Sequence, residues 1–208
     1  METADALLVV DLQPDFMPGG ALAVRGGDEI VGPISRIAGH FTTVVATQDW
    51  HPRGHISFAS RHGKQSFSKL ALYGGEQAMW PDHCVQGTPG AALHHGLDLA
   101  HVSVILRKGA RCDVDSYSAF FENVGPDGKR PSTGLADLLR ARGIGRVFVC
   151  GLARDVCVAD TALDAAAEGF DVTLIDDLTR AVDEGSRVRV DTRLKSAGVK
   201  IENAEVLS

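Results

Sequence analysis

The strongest constraint on the fold of this chain is a series of five strand-length apolar runs separated by helical patterns. The runs are ALLVVD at 6–11, TTVVATQD at 42–49, HVSVILRK at 101–108, RVFVCGL at 146–152 and DVTLID at 171–176. Their Val, Ile and Leu residues are largely continuous and do not alternate, which suits strands covered on both faces. Helical patterns occupy 27–40, 132–142 and 155–168, with a further one at 183–197. That order predicts an α/β chain built on a parallel sheet. With 208 residues, 44% of them hydrophobic, and no Pro/Gly/Ser-rich linker, one domain over 1–208 is expected.

Charge narrows the partners. Lysine and arginine number 21 against 27 acidic residues, a net of -6, and the basic residues are scattered. Nucleic acid and anionic membranes are therefore poor partners. The start METADALLVVD has no signal-peptide pattern, and no run approaches the roughly 18 apolar residues of a membrane span, so a cytoplasmic protein is expected. Cys84, Cys112, Cys150 and Cys157 lack CxxC spacing, which points to reduced thiols. Assembly into a homo-oligomer is left open by the sequence.

In open parallel sheets, ligands bind beyond the carboxyl ends of the strands, where loops from distant segments meet. Asp11 closes the first run, Asp49 the second and Lys108 the third, and Cys157 follows the fourth. Each alone has an ordinary role, as a turn, cap, solvated or packing residue. Their coincidence at four strand ends suggests a nucleophilic set. Asp155 is expected to cap the following helix, which would put Cys157 in the first turn. There the helix N-terminus and the Lys108 ammonium should lower the thiol pKa, with Asp11 exchanging the proton. Ser132 or Thr133 is expected to cap the helix of STGLADLLRARG.

A second cluster comes from DWHPRGH at 49–55 and WPDHC at 80–84. In extended backbone, residues two apart share a face, so Asp49 and His51 can grip one ion, with His83 as a third ligand. One carboxylate and two imidazoles suit zinc, manganese or ferrous iron. His55 is either a further ligand or a polar pocket residue. His40, His62, His94, His95 and His101 are read as surface or packing residues, and Cys84 and Cys150 as packing. Phe16, Trp50, Trp80 and Tyr117 lie near these clusters in a chain that is only 6% aromatic, and a flat aromatic substrate could be stacked there. The stretches 50–100 and 109–131 fit neither helix nor strand, and loops of that length inside a compact chain are usually functional.

The segments VVDLQPDFMPGGALAV, TQDWHPRGHISFAS, WPDHCVQGTPGA, KGARCDVDSYSAFFEN and GLARDVCVADTALDAAAEGFDV, taken in order, resemble the signatures of nicotinamidases (pyrazinamidases) in the isochorismatase-like hydrolase superfamily. The resemblance runs from about residue 7 to about residue 182. It implies a three-layer α-β-α fold with a central, mostly parallel sheet. It also implies hydrolysis of nicotinamide to nicotinate and ammonia through a cysteine thioester, with activity on pyrazinamide as well. Asp11, Lys108 and Cys157 match the catalytic triad. Asp49, His51 and His83 match ligands of one divalent ion, zinc foremost, and His55 matches a position that only some members use. Phe16, Trp80 and Tyr117 match residues around the substrate ring. A cis peptide is implied before Ala153, with the N–H groups of Ala153 and Cys157 forming an oxyanion hole. Other superfamily hydrolases, acting on a carbamoyl or ureido amide or on isochorismate, are the alternative.

Two positions depart from the pattern. Where nicotinamidases commonly read Ala-Thr-Asp, an aromatic and Cys, this chain has Ala153, Arg154, Asp155, Val156 and Cys157. Arg154 is expected to face solvent or an oligomer interface, and otherwise to favour an anionic substrate.

Overall fold

The computed structural model describes residues 4–207. Six strands form one sheet: β1 (Asp5–Val10), β2 (Thr43–Asp49), β5 (Val104–Lys108), β6 (Arg146–Leu152), β7 (Asp171–Arg180) and β8 (Lys200–Glu202). Their spatial order is β5-β2-β1-β6-β7-β8, and every pairing is parallel. The two remaining strands, β3 (Lys69–Leu72) and β4 (Gly75–Ala78), make a separate antiparallel hairpin.

The continuous apolar pattern is explained by β1, which is buried along its whole length. Leu7 and Val9 face a core closed by Val31, Ile34 and Ala38 of α1 (Val31–Ala38). Ala6, Leu8 and Val10 face the opposite core, packed by α2 (Leu135–Ala141), α3 (Ala159–Ala167) and α4 (Arg187–Ser196). Three layers result. From β1 the chain moves outward through β2 to β5, then returns to the other side of β1 and moves away through β6, β7 and β8. Right-handed crossovers in opposite directions put helices on opposite faces. The reversal point lies between β1 and β6, and there the carboxyl ends open a crevice.

Several boundaries differ from the sequence expectation. The third run begins as a strand only at Val104, because Leu99–His101 form a 3-10 turn. The last run extends to Arg180. The segment 155–168 splits into a π-helical turn, Arg154–Val158, followed by α3. The hairpin and β8 were not anticipated; their strands are three or four residues long and mostly exposed, so they carry little apolar signal. Among the described residues no helix is long and apolar enough to cross a membrane.

Candidate functional site

β2 and β5 pair in a register that sets Asp49 beside Lys108. Asp11 emerges from the end of the neighbouring β1, and the π-helical turn after β6 delivers Cys157 from the other side. All four side chains are buried, and they converge as the strand-end argument requires. Lys108 Nζ lies 2.9 Å from Asp11 Oδ2 and 3.3 Å from Cys157 Sγ, and it donates to Asp49 Oδ1 and to the Ser116 carbonyl. Carboxylate oxygens of Asp11 and Asp49 and the Cys157 sulfur all lie within 4.8 Å of one another.

Close approach of β1 and β6 depends on Gly151. At its φ of 109° a Cβ would sit 2.1 Å from the Val10 carbonyl oxygen. Beyond Gly151 the Leu152–Ala153 peptide is cis. The Ala153 carbonyl accepts from Val156 N–H and Val158 N–H, both at 3.1 Å, passing over Cys157 between them. Asp155 is not the cap expected from the sequence. Its carboxylate accepts instead from the Val182 and Asp183 N–H groups, each at 2.9 Å, and so ties the turn to the segment after β7. The α2 start also differs: Gly134 takes the cap position, while Ser132 and Thr133 accept from the next N–H groups, those of Gly134 and Leu135.

Electrostatics sort these groups. Burial opposes the Lys108 charge, but Asp11 and then Asp49 outweigh it, so the ammonium persists well above its ordinary range. Burial also raises Asp49, yet Lys108 and His51 more than compensate, and this carboxyl lies well below its ordinary value. Asp11 goes the other way: burial and the neighbouring Asp49 lift it against the pull of Lys108. The expected depression of the Cys157 thiol is not found. Burial raises it, Lys108 draws it down, and Asp11 and Asp49 push it up again, leaving it well above its usual value. The resting sulfur therefore holds its proton beside a carboxylate of raised affinity for protons.

Asp49, His51 and His83 each offer an atom within 4.8 Å of the others. The two segments meet because His51 N–H donates to the Cys84 carbonyl and Gln86 N–H to that of His51, at 3.0 and 2.8 Å. His51 Nδ1 is 3.0 Å from the Gly109 carbonyl and His83 Nδ1 is 2.8 Å from that of Pro81. A carbonyl can only accept, so both Nδ1 atoms donate, and in the neutral imidazoles that bind a metal both Nε2 atoms present lone pairs beside Asp49. This donor set fits a divalent cation. Gly109 is needed for it, since a Cβ there would come within 2.4 Å of the His51 ring. His55 differs, because Nε2 donates to the Val114 carbonyl at 3.0 Å and Nδ1 accepts from the Ser57 hydroxyl at 2.8 Å. With both nitrogens engaged it stacks on His51, its ring centroid 4.2 Å away, and burial pushes its pKa down to about 4.

Phe16, Trp80 and Tyr117 line one cavity together with Ala153, Val156 and Cys157, and Asp49, His51 and His83 border the same space. Trp80 Nε1 donates to the Tyr117 hydroxyl at 3.1 Å, and Phe16 lies 5.5 Å from His83 between ring centroids. The sequence reading missed the residues that hold this constellation. Thr47 accepts from Asp11 N–H at 3.0 Å and donates to Asp11 Oδ1 at 2.6 Å; two residues before Asp49 on β2, it shares that face, and the spacing was visible. Gln13 grips the Asp49 backbone through both its N–H and its carbonyl, each at 2.8 Å. Gln77 on β4 donates to Asp115 and to the Tyr117 hydroxyl, at 2.7 and 2.9 Å. Asp15 accepts from Cys84 N–H at 2.7 Å, where Cys84 has a left-handed backbone with φ 46°. Neutral amides and remote carboxylates have no spacing signature of their own.

Arg154 contradicts the expectation of a solvent-facing or interface side chain. Only 2% of its side chain is exposed, and it reaches Asp176 on β7 at 2.6 Å and Asp191 on α4 at 2.9 Å. It does not line the cavity. Burial raises the Asp176 carboxyl, but the hydrogen bonds and charge of Arg154, then Arg187, hold it below its ordinary 3.8. A carboxyl depressed on folding adds stability that is present above its unfolded pKa and disappears as the pH falls through the folded value. Thermal unfolding of Asp176→Asn should therefore show a lower Tm than wild type at neutral pH. The difference should close only well into the acid range, below 3.8.

Comparison with known proteins gives a consistent picture. The family model described as the isochorismatase domain matches residues 5–205. A nicotinamidase of Acinetobacter baylyi is 48% identical over 94% of this chain and 90% of its own length. One from Escherichia coli is 46% identical over 85% and 83%. Among solved structures, an Acinetobacter baumannii nicotinamidase/pyrazinamidase superposes with a TM-score of 0.94 at 44% identity, covering all of both chains. PnC1 of L. infantum, in complex with nicotinate, gives 0.86 at 42% identity over 99% and 96%. A Pyrococcus horikoshii pyrazinamidase in complex with zinc gives 0.79 at 39% identity over 96% and 99%. With the strand order and the convergence at the reversal point, these matches establish that the chain belongs to the isochorismatase family and has its α-β-α hydrolase fold.

Proposed function

We propose that the protein is a metal-dependent nicotinamidase, hydrolysing nicotinamide to nicotinate and ammonia and accepting pyrazinamide, as one hydrolase domain working in the cytoplasm. The observation that carries this reading is one cavity lined by Cys157, by the Asp49/His51/His83 donor set and by Phe16, Trp80 and Tyr117, with Lys108 against the sulfur and Asp11 against Lys108. The relatives named nicotinamidase and the nicotinate-bound and zinc-bound neighbours support it.

The chemistry follows from the proton balance. Asp11, its affinity for protons raised by burial, takes the Cys157 thiol proton as sulfur attacks the carboxamide carbon. The carbonyl oxygen becomes an oxyanion, received by the N–H groups of Ala153 and Cys157, each such donor contributing about 3 kcal/mol. Lys108 holds the Asp11 carboxylate and the sulfur in register. On collapse the C–N bond breaks and Asp11 protonates the departing ammonia, leaving nicotinoyl thioester on Cys157. Asp11 then takes a proton from water as the water attacks, and returns it to sulfur when nicotinate leaves. A divalent ion, zinc foremost with manganese or iron as alternatives, would be held by Asp49, His51 and His83 and would supply a Lewis-acidic anchor for the ring nitrogen. Phe16, Trp80 and Tyr117 pack the ring and exclude water.

Ammonia release from nicotinamide by purified, metal-replete protein tests the assignment. Hydrolysis of a ureido or carbamoyl amide with no action on nicotinamide would overturn it in favour of another family activity. Chelation should abolish turnover, and stoichiometric metal should restore it. Asp49→Ala should give protein that neither retains metal in elemental analysis nor turns over, an expected loss of about 100-fold or more.

A further inference from the structure

The relatives' pattern offers no account of Arg154, and its burial is the least expected feature of the site. A guanidinium placed beneath a catalytic turn must be matched by carboxylates, and here the match is double. Arg154 Nε and one terminal nitrogen donate to Asp176 Oδ1, at 3.2 and 2.6 Å, while the other terminal nitrogen meets Asp191 Oδ1 at 2.9 Å. Asp176 is shared with Arg187, so two cations face two carboxylates.

The partners' positions give the cluster its meaning. Asp176 sits in an irregularity of β7. Between the register pairs Val149–Leu174 and Gly151–Thr179, β6 contains one residue, Cys150, and β7 contains four, Ile175 to Leu178. Arg154 thus hooks the turn onto the bulge of the neighbouring strand and onto α4. The next residue, Asp155, fastens the same turn to the Val182 and Asp183 backbone. Two consecutive side chains anchor a turn that carries Ala153 and Cys157.

We infer that Arg154 is a positioning residue for the reaction: through Asp176 and Asp191 it fixes the turn that sets the sulfur and both N–H donors against Asp11 and Lys108. This rests on the thioester reading above. Asp11 follows β1, Lys108 ends β5, and Phe16, Trp80, Tyr117 and the metal donors belong to other segments, so loosening the turn displaces sulfur and oxyanion donors while, of these cavity-lining groups, only Ala153, Val156 and Cys157 move with it. The effect should fall on kcat and spare KM. A merely structural ion pair would lower Tm and leave that split absent.

The test compares wild type with Arg154→Met, Arg154→Lys, Asp176→Asn and Asp191→Asn, each shown folded by circular dichroism and loaded with metal. Two quantities are measured: nicotinamide kinetics, and the rate at which iodoacetamide alkylates Cys157, followed on the peptide by mass spectrometry. Because misplacement by an ångström can cost about 100-fold, Arg154→Met should lose roughly that factor in kcat with KM within about threefold of wild type. Its alkylation rate should shift by about tenfold from wild type, because the displaced sulfur meets a different exposure and different charged neighbours. Arg154→Lys, which keeps the charge but not the fork, should recover part of both. Folded Arg154→Met with wild-type kcat and alkylation, or a loss confined to KM, overturns the inference. Should that variant not fold, Asp176→Asn and Asp191→Asn decide it, and unchanged kcat and alkylation in both overturns it equally. Alkylation needs no substrate, so a wild type inactive on nicotinamide refutes the assigned substrate and leaves this comparison to decide the role of Arg154.

Discussion

Cys157→Ala should lower nicotinamide turnover by about 10⁴-fold or more while leaving the fold and bound metal intact. The substitution removes the only side chain at this point that can form an acyl intermediate, and little else. The thiol is small and 6% exposed, and the Asp49, His51 and His83 donors do not depend on it. Lys108 keeps its bonds to Asp49 and to the Ser116 carbonyl. Ammonia release and elemental analysis on one preparation check both halves. Activity persisting in the variant would remove the nucleophile from Cys157.

The second large effect is expected at Asp11. Asp11→Asn keeps the shape and can keep the Thr47 contact, but it cannot accept the thiol proton. Because the sulfur at rest is protonated, raised by burial and by the flanking carboxylates, turnover depends on that acceptor. General-base removal typically costs about 10²–10⁴-fold, and a thiol this reluctant to ionise places the expected loss near the upper end, about 10³-fold or more. Loss should appear in kcat, since Asp11 does not line the ring cavity. A kcat within tenfold of wild type, about 1.4 kcal/mol in barrier, would show that another group takes the proton.

Particular residues show why part of this site could be read from the sequence. Asp11, Asp49 and Lys108 were legible because a parallel sheet brings its strand ends to one edge, so the end of an apolar run is also a position in space. Asp49 and His51 were legible from their two-residue spacing in extended backbone, and the same spacing would have found Thr47. Arg154 was not legible. Its partners lie 22 and 37 positions further along the chain, one in a strand bulge and one on a helix, and no local pattern announces either. The thiol pKa is not legible in the sequence for a related reason. Lys108 and the helical turn were visible as attractions for thiolate, but burial and the flanking carboxylates emerge only when the chain is folded. The β3–β4 hairpin was lost in a long polar stretch, yet Gln77 on it holds Asp115 and Tyr117 at the cavity wall.

The central claim is that the amide is opened through a thioester on Cys157, and partitioning with hydroxylamine tests it without requiring the intermediate to accumulate. Wild-type protein turning over nicotinamide in the presence of hydroxylamine should release ammonia and divide the acyl group between nicotinate and nicotinohydroxamate, with the hydroxamate share rising with hydroxylamine concentration. Cys157→Ala should form neither. Ammonia release with nicotinate as the sole product at every hydroxylamine concentration, or hydroxamate formed equally by Cys157→Ala, would contradict the account.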